Sequence, residues 1–390
     1  MKASKLFSEF FESEKAAGLV LIACTAVSLS IANSGLGQAY QHIWHTDLFS
    51  RPIEFWINDG LMTLFFLLVG LEIEREIYVG EFSDLKKAML PIMAAVGGML
   101  VPAAIHFGLN HGTPFENGFG IPMATDIAFS LGILSLLGSR VPLMLKLFLT
   151  ALAIIDDLGA IMIIALFYTD SLSWIYLVMS VALFGLMILL NRLKVDQIWV
   201  YLALGAWLWF GLYRAGIHPT ITGVLVAFAL PFRDGGEKSP SFRLQHMLHK
   251  PVAFLVLPLF ALANTAIAVS ADVIHSMGDA NNLGIIGGLV LGKPIGIVLF
   301  SLLGIGLGWS ALPQGINKTH LTGAGMLAGI GFTMSIFITL LAFSDMGTIV
   351  NAKVAVLLAS LIAGVAGYIW LRMTLPAHGI EENSVKEETT

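Results

Sequence analysis

Apolar residues in this chain gather in long blocks rather than alternating with polar ones, and the blocks recur almost to the C-terminus. A helix needs roughly 20 mostly apolar residues to cross a bilayer core, and about twelve segments qualify. They lie near residues 15–33, 57–73, 88–109, 121–138, 143–168, 173–191, 197–214, 218–231, 249–269, 283–307, 320–342 and 353–373, the eighth being short. The connections are too brief to build a second domain. The pattern therefore predicts an all-α polytopic membrane protein, with one transmembrane unit over 1–378 and a polar, acidic, disordered tail over 379–390. The outer loop 34–58 mixes polar and apolar residues through Tyr40, Gln41, His42, Ile43, Trp44, His45 and Thr46, which predicts a two-stranded hairpin.

Composition agrees with a membrane class: 57% of the 390 residues are hydrophobic and 12% are charged, far from a soluble balance. Cytoplasmic loops are enriched in Lys and Arg. With twelve spans, the basic clusters from Lys2 to Lys386 share one side, and only Arg51, Arg214 and Lys353 fall on the other. Both termini are thus expected in the cytoplasm. Glu9, Glu12 and Glu14 precede the first apolar run, where a signal peptide would carry positive charge. Leu6, Phe7, Phe10 and Phe11 recur at helical spacing, predicting a short surface-lying helix before the first span. The single cysteine, Cys24, excludes an intrachain disulfide and a thiolate metal site. The bilayer is the expected surrounding, with no nucleic acid and no cofactor.

Glycine and proline mark two interrupted spans. The fourth holds Gly118, Gly120 and Pro122 just before Thr125 and Asp126; the eleventh holds Gly323, Gly325, Gly329 and Gly331, then Thr333 and Ser335. Proline removes a backbone donor and glycine permits unwinding. Interrupted spans at matching places in two halves point to inverted repeats, here about 88–168 and 283–373. Two antiparallel broken helices bring two positive N-terminal ends together at one junction and two negative C-terminal ends at the other. Asp126 suits the first junction and Lys293 the second.

Asp156 and Asp157 lie together inside the fifth block. A carboxylate near the bilayer centre costs about 2.5 to 3.5 kcal/mol, so such residues usually serve an ion or proton path. Neighbours on a helix diverge by about 100°, so the pair cannot share one proton. A hard monovalent cation takes oxygen ligands, which one Asp, the Thr125 hydroxyl and unwound carbonyls can offer. That carboxylate must lose its proton to bind Na+, so the two cations compete for it.

The runs Ile121 to Ala128, Ala153 to Ala160 and Leu291 to Gly296 resemble the signatures of the NhaA family of bacterial sodium/proton antiporters, and the resemblance extends from the first span through the twelfth. It implies a twelve-helix inner-membrane exchanger with crossed broken helices in spans four and eleven, driving Na+ or Li+ out with inward protons. Carried over by position, Asp157 would be the principal Na+ or Li+ ligand and Asp156 a second proton carrier paired with Lys293, with Asp126 and Thr125 at the crossing. Electrogenic exchange, activation at alkaline pH and a homodimer joined through the outer hairpin are implied too. Glu72, Arg75, Glu76, His246 and His249 are the pH-sensing candidates, or else ordinary interfacial charges. Gln245 stands where an acidic residue would be expected, and His218 opens the eighth span as a cap or a regulatory group. A sodium-coupled solute symporter is the alternative; an intramembrane aspartyl protease and a passive channel fit the adjacent aspartates less well.

Overall fold

The computed structural model describes residues 2–80, 85–168, 172–313 and 315–376, with side chains from residue 15 onward except at 85–87. The expected tail 379–390 and the side chains of Leu6, Phe7, Phe10 and Phe11 lie outside the described residues. Helix α1 runs unbroken over Lys2–Ala32, so the expected surface helix and first span form one element.

The outer loop holds the expected two-stranded hairpin, but a smaller one. Residues Tyr40 to His45 belong to helix α2, Gly37–His45, and the hairpin shrinks to β1, Asp47–Leu48, paired antiparallel with β2, Arg51–Pro52. The burial repeat is helical: Trp44 is buried and meets Tyr40, four residues earlier, edge to face at 5.7 Å, while the Tyr40 hydroxyl reaches Ser28 and the Leu262 carbonyl. At the hairpin tip Phe49 and Ser50 take φ of 52° and 64°, the left-handed pair that lets a two-residue turn follow strand twist.

Helix α3 spans Ile53–Tyr78, and α4 spans Leu85–Asn110. A 3₁₀ segment over Glu116–Met123 leads to α5, Ile127–Ser135. Then come α6, Leu143–Phe167, α7, Trp174–Arg192, α8, Ile198–Ala215, and α9, Ile221–Ala229. Next are α10, Pro240–Asn264, and α11, Ala280–Gly306. The chain closes with α12, Lys318–Ala328, α13, Phe332–Ala342, and α14, Met346–Thr374. Among the described residues nine helical segments are long and apolar enough to cross a membrane, or ten when α12 and α13, bent by 47°, count as one. Expected spans seven and eight correspond to α8 and α9, which are not among them. Helix α9 has nine residues, about 13 Å of rise, less than half a bilayer core.

Pro258 in α10 and Pro294 in α11 are absorbed by widened turns. Pro258 follows a π-helical stretch over Val252–Val256, and Pro294 follows another over Gly288–Gly292. A proline ring clashes with the carbonyl four residues back, and a wider turn moves that carbonyl away. Helices α4 and α11 approach backbone to backbone where Gly97 meets Gly296, because a Cβ on either would strike the other's carbonyl. Lys293, one turn before Gly296, is fully buried inside the protein.

Candidate functional site

The two interruptions meet. After the 3₁₀ segment, Ala124 and Asp126 are extended, with ψ of 153° and 104°, and the opposite break covers 329–331 between α12 and α13. Extended backbone inside a membrane must find partners within the protein, and each break supplies them to the other. The Asp126 N–H donates to the Ile330 carbonyl at 2.7 Å. The Thr125 hydroxyl lies 3.0 Å from the Ala328 carbonyl, and the Ser335 hydroxyl donates to the Ile121 carbonyl at 2.7 Å.

Asp126 sits at two helix N-termini. Its Oδ1 accepts from the Phe129 N–H in α5 at 2.9 Å, and its Oδ2 accepts from the N–H and hydroxyl of Thr333 in α13 at 3.0 and 2.5 Å. One carboxylate thereby satisfies orphan amides of both helices and opposes both positive helix ends. The adjacent Phe332 N–H donates to Ser360 of α14 at 3.1 Å.

Lys293, Asp156 and Thr125 form a closed triangle, each fully buried. The Lys293 ammonium donates to Asp156 Oδ2 at 2.9 Å and to the Thr125 hydroxyl at 2.5 Å. The Thr125 hydroxyl has one proton, shared between Asp156 Oδ2 at 2.7 Å and the Ala328 carbonyl. Lys293 thus reaches the C-terminal end of α12 through Thr125. Asp157, one residue on and equally buried, has no hydrogen-bond partner on either oxygen among the described residues, and Asp156 Oδ1 has none. Three buried carboxylate oxygens are therefore without a hydrogen-bond partner among the described residues. A buried carboxyl without donors can be balanced only by a proton or a cation. Thr125, expected as a direct cation ligand, bonds Lys293, Asp156 and the Ala328 carbonyl here.

A cavity of about 60 Å³ has room for a few waters. Its lining includes Phe65 and Glu72 of α3, His249 of α10, Thr150 of α6, Asp126 and Thr333. Glu72 and His249, two of the five pH-sensing candidates, thus share one cavity with Asp126. Arg75 lies beyond it with its guanidinium 4.8 Å over the Phe242 ring, which stacks on His246 with rings 6.3 Å apart. Gln245 Oε1 accepts from Arg75 at 3.5 Å, so a neutral amide holds the place expected for an acid. Glu76 occupies the last turn of α3. His218 stands 3.4 Å from Asp59 and bonds Thr220 at 2.7 Å.

Sequence reasoning passed over Ser360 and Glu74. Ser360 is one serine in an apolar helix. Glu74, between the two glutamates singled out, is buried and accepts from the Ser241 hydroxyl at 3.1 Å; its position two residues from each, on a different helix face, was the available signal.

Residues 8–371 match a family model described as Na+/H+ antiporter 1. The chain is 55% identical over 384 residues to the Na(+)/H(+) antiporter NhaA of Flavobacterium psychrophilum, covering 98% of this chain and 100% of that one. It is 57% identical over 374 residues to the Na(+)/H(+) antiporter NhaA of Dechloromonas aromatica, covering 95% and 96%. Against the Vibrio campbellii protein of the same name it is 46% identical over 378 residues, covering 96% and 97%.

Proposed function

The chain belongs to the Na+/H+ antiporter family whose model it matches, and from that premise we propose that it carries Na+ out of the cytoplasm in exchange for protons moving in. It is a multi-pass membrane transporter, not an enzyme. Membership in an antiporter family sets aside the symport, protease and channel alternatives. Li+ is the second transported cation in this reading, on the same hard-oxygen chemistry.

The carrying observation is Asp157, fully buried with neither oxygen hydrogen-bonded among the described residues, beside an Asp156 that Lys293 holds. Asp157 releases its proton and takes Na+, with the unbonded Asp156 Oδ1 as a second oxygen ligand. The second proton is carried by Asp156 with its partner Lys293: Na+ binding releases it from the pair, and when Na+ leaves, protons return to Asp157 and to Asp156. Two protons against one Na+ make the exchange electrogenic. Asp126 balances helix ends and does not carry a proton. The cavity serves as the cytoplasmic entry, with Glu72 and His249 facing it and Arg75, Glu76 and His246 beyond, the set that confers activation at alkaline pH.

The finer architecture is twelve spans in a bacterial inner membrane, both termini cytoplasmic, with two inverted repeats over about 88–168 and 283–373. The nine or ten qualifying segments support it once α8 and α9 are added, as do the crossed breaks. The chain acts as one transporter unit over 1–378 and forms homodimers through β1 and β2.

The test is proton movement in inside-out vesicles carrying a respiratory pH gradient, with Na+, Li+ or K+ added to wild type and Asp157→Asn. Na+ and Li+ should collapse the gradient in wild type alone. Full activity in correctly inserted Asp157→Asn would overturn the site assignment.

A further inference from the structure

Lys353 is a second buried cation, 6% exposed, on α14. Its ammonium donates to Asn264 Oδ1 at 3.1 Å and stands 3.9 Å from Glu54 Oε1. The Asn264 amide donates in turn to Asn58 Oδ1 at 2.7 Å. One side chain of α14 thus ties to the C-terminal end of α10 and the N-terminal end of α3. These two helices also line the cavity, but elsewhere along their length. Asn58 lies fourteen residues before Glu72, and Asn264 fifteen residues after His249. Each separation is about 21 to 22 Å of helix. Between the two levels, Phe337 of α13 packs on Phe66 of α3 at 5.4 Å and on Phe260 of α10 at 6.5 Å. One boundary, α3 and α10 against α13 and α14, is therefore open at the Glu72 end, filled with aromatic rings in the middle, and bolted at the Lys353 end.

We infer that Lys353, with Asn264, Asn58 and Glu54, is the outer gate of the exchange path, holding α14 to α3 and α10 while the opposite face is open. The inference rests on the antiport reading, because alternating access requires that boundary to part on the outer side. The bonding suits a gate. A buried ammonium demands partners, yet here it has a neutral amide and a carboxylate beyond hydrogen-bond distance. That arrangement costs less to part than the tight Lys293–Asp156 contact. Ser360, seven residues or about 10 Å further along α14, is fixed to the crossing through Phe332, so motion at the breaks is carried directly to Lys353.

The experiment measures the KM for Na+ at each face, using inside-out and right-side-out vesicles. KM at a face scales inversely with the population open to it, so the ratio of the two values follows the inward–outward equilibrium. Lys353→Met removes the bolt without opening a large cavity and should raise the cytoplasmic-to-external KM ratio by about tenfold, the scale of one lost charge-assisted hydrogen bond. Asn264→Asp makes the contact an ion pair, with the Asn58 amide turned to donate to the new carboxylate, and should move the ratio the opposite way. It decides the matter alone if Lys353→Met fails to insert. A purely structural role would lower turnover or melting temperature without moving the ratio. A ratio within about twofold of wild type in every inserted variant, or a shift of the same sign in both, overturns the gate. Absence of Na+-dependent exchange in wild type overturns the antiport reading instead.

Discussion

Asp156 and Asp157 differ by about 100° of rotation on one helix, and that rotation separates a carboxyl with two partners on one oxygen from a carboxyl with none. The residues carrying this contrast were legible in the sequence because ionised side chains inside apolar blocks are few. Their pairing was legible only by resemblance, since nothing in the spacing of residues 125, 156 and 293 says that they converge. The triangle has a measurable consequence. Lys293→Ala leaves Asp156 buried without its cation, which should cost about 3 to 5 kcal/mol. Adding Asp156→Asn to Lys293→Ala should recover much of that loss, because a neutral amide does not need the ammonium. Thermal melting of the two single variants and the double variant in detergent gives the cycle. Strictly additive losses would mean that the two side chains do not depend on each other.

Helices show where pattern reading succeeds and where it stops. Glycine and proline located both interruptions, since a break inside a membrane has to be made from residues that allow it. They did not reveal what closes the breaks. Asp126 was foreseen at paired helix N-termini, whereas Ser360 supplies an acceptor to Phe332 from a helix with no unusual composition. Ser360→Ala should leave that amide unsatisfied and raise the KM for Na+ at the cytoplasmic face, with Ser360→Thr restoring it. An unchanged KM would confine Ser360 to packing. In the loop 34–58 the two-stranded hairpin is present at residues 47–52, but Tyr40 to His45 are helical: Tyr40 and Trp44 repeat at helical spacing, a stripe that His42 and His45 obscure. At the start of α14 the Asp345 carboxylate accepts from both the N–H and the hydroxyl of Thr348, at 2.8 Å each, and these donors hold its pKa below the ordinary 3.8. A lowered folded pKa stabilises above the unfolded value and is lost as pH falls through the folded one. The difference in melting temperature between wild type and Asp345→Ala should therefore be constant at neutral pH and shrink below about 3.8. A difference that persists at lower pH would assign the effect to the shape of the cap.

At the scale of the whole molecule, the proposed dimer turns on the outer hairpin. The hairpin is two residues long in each strand, too small to be stable alone, and it ends in Phe49, 84% exposed. A strand pair this short keeps both edges unpaired, so a second copy can add to it and gain backbone hydrogen bonds together with cover for the phenylalanine. The charged triangle, the crossing and the cavity are all assembled from one chain, so exchange should not require the second copy. Removing residues 47–52 and closing the gap with two glycines should convert a dimer to a monomer in light-scattering measurements of the detergent-solubilised protein. Na+-dependent proton movement per chain should stay within about twofold in vesicles, since no ligand is lost. A dimer that survives the deletion would move the interface to another face, such as the exposed apolar residues of α7. Loss of exchange along with dimerisation would mean that the partner holds the boundary between α3 and α14 in register, placing the hairpin in the transport cycle.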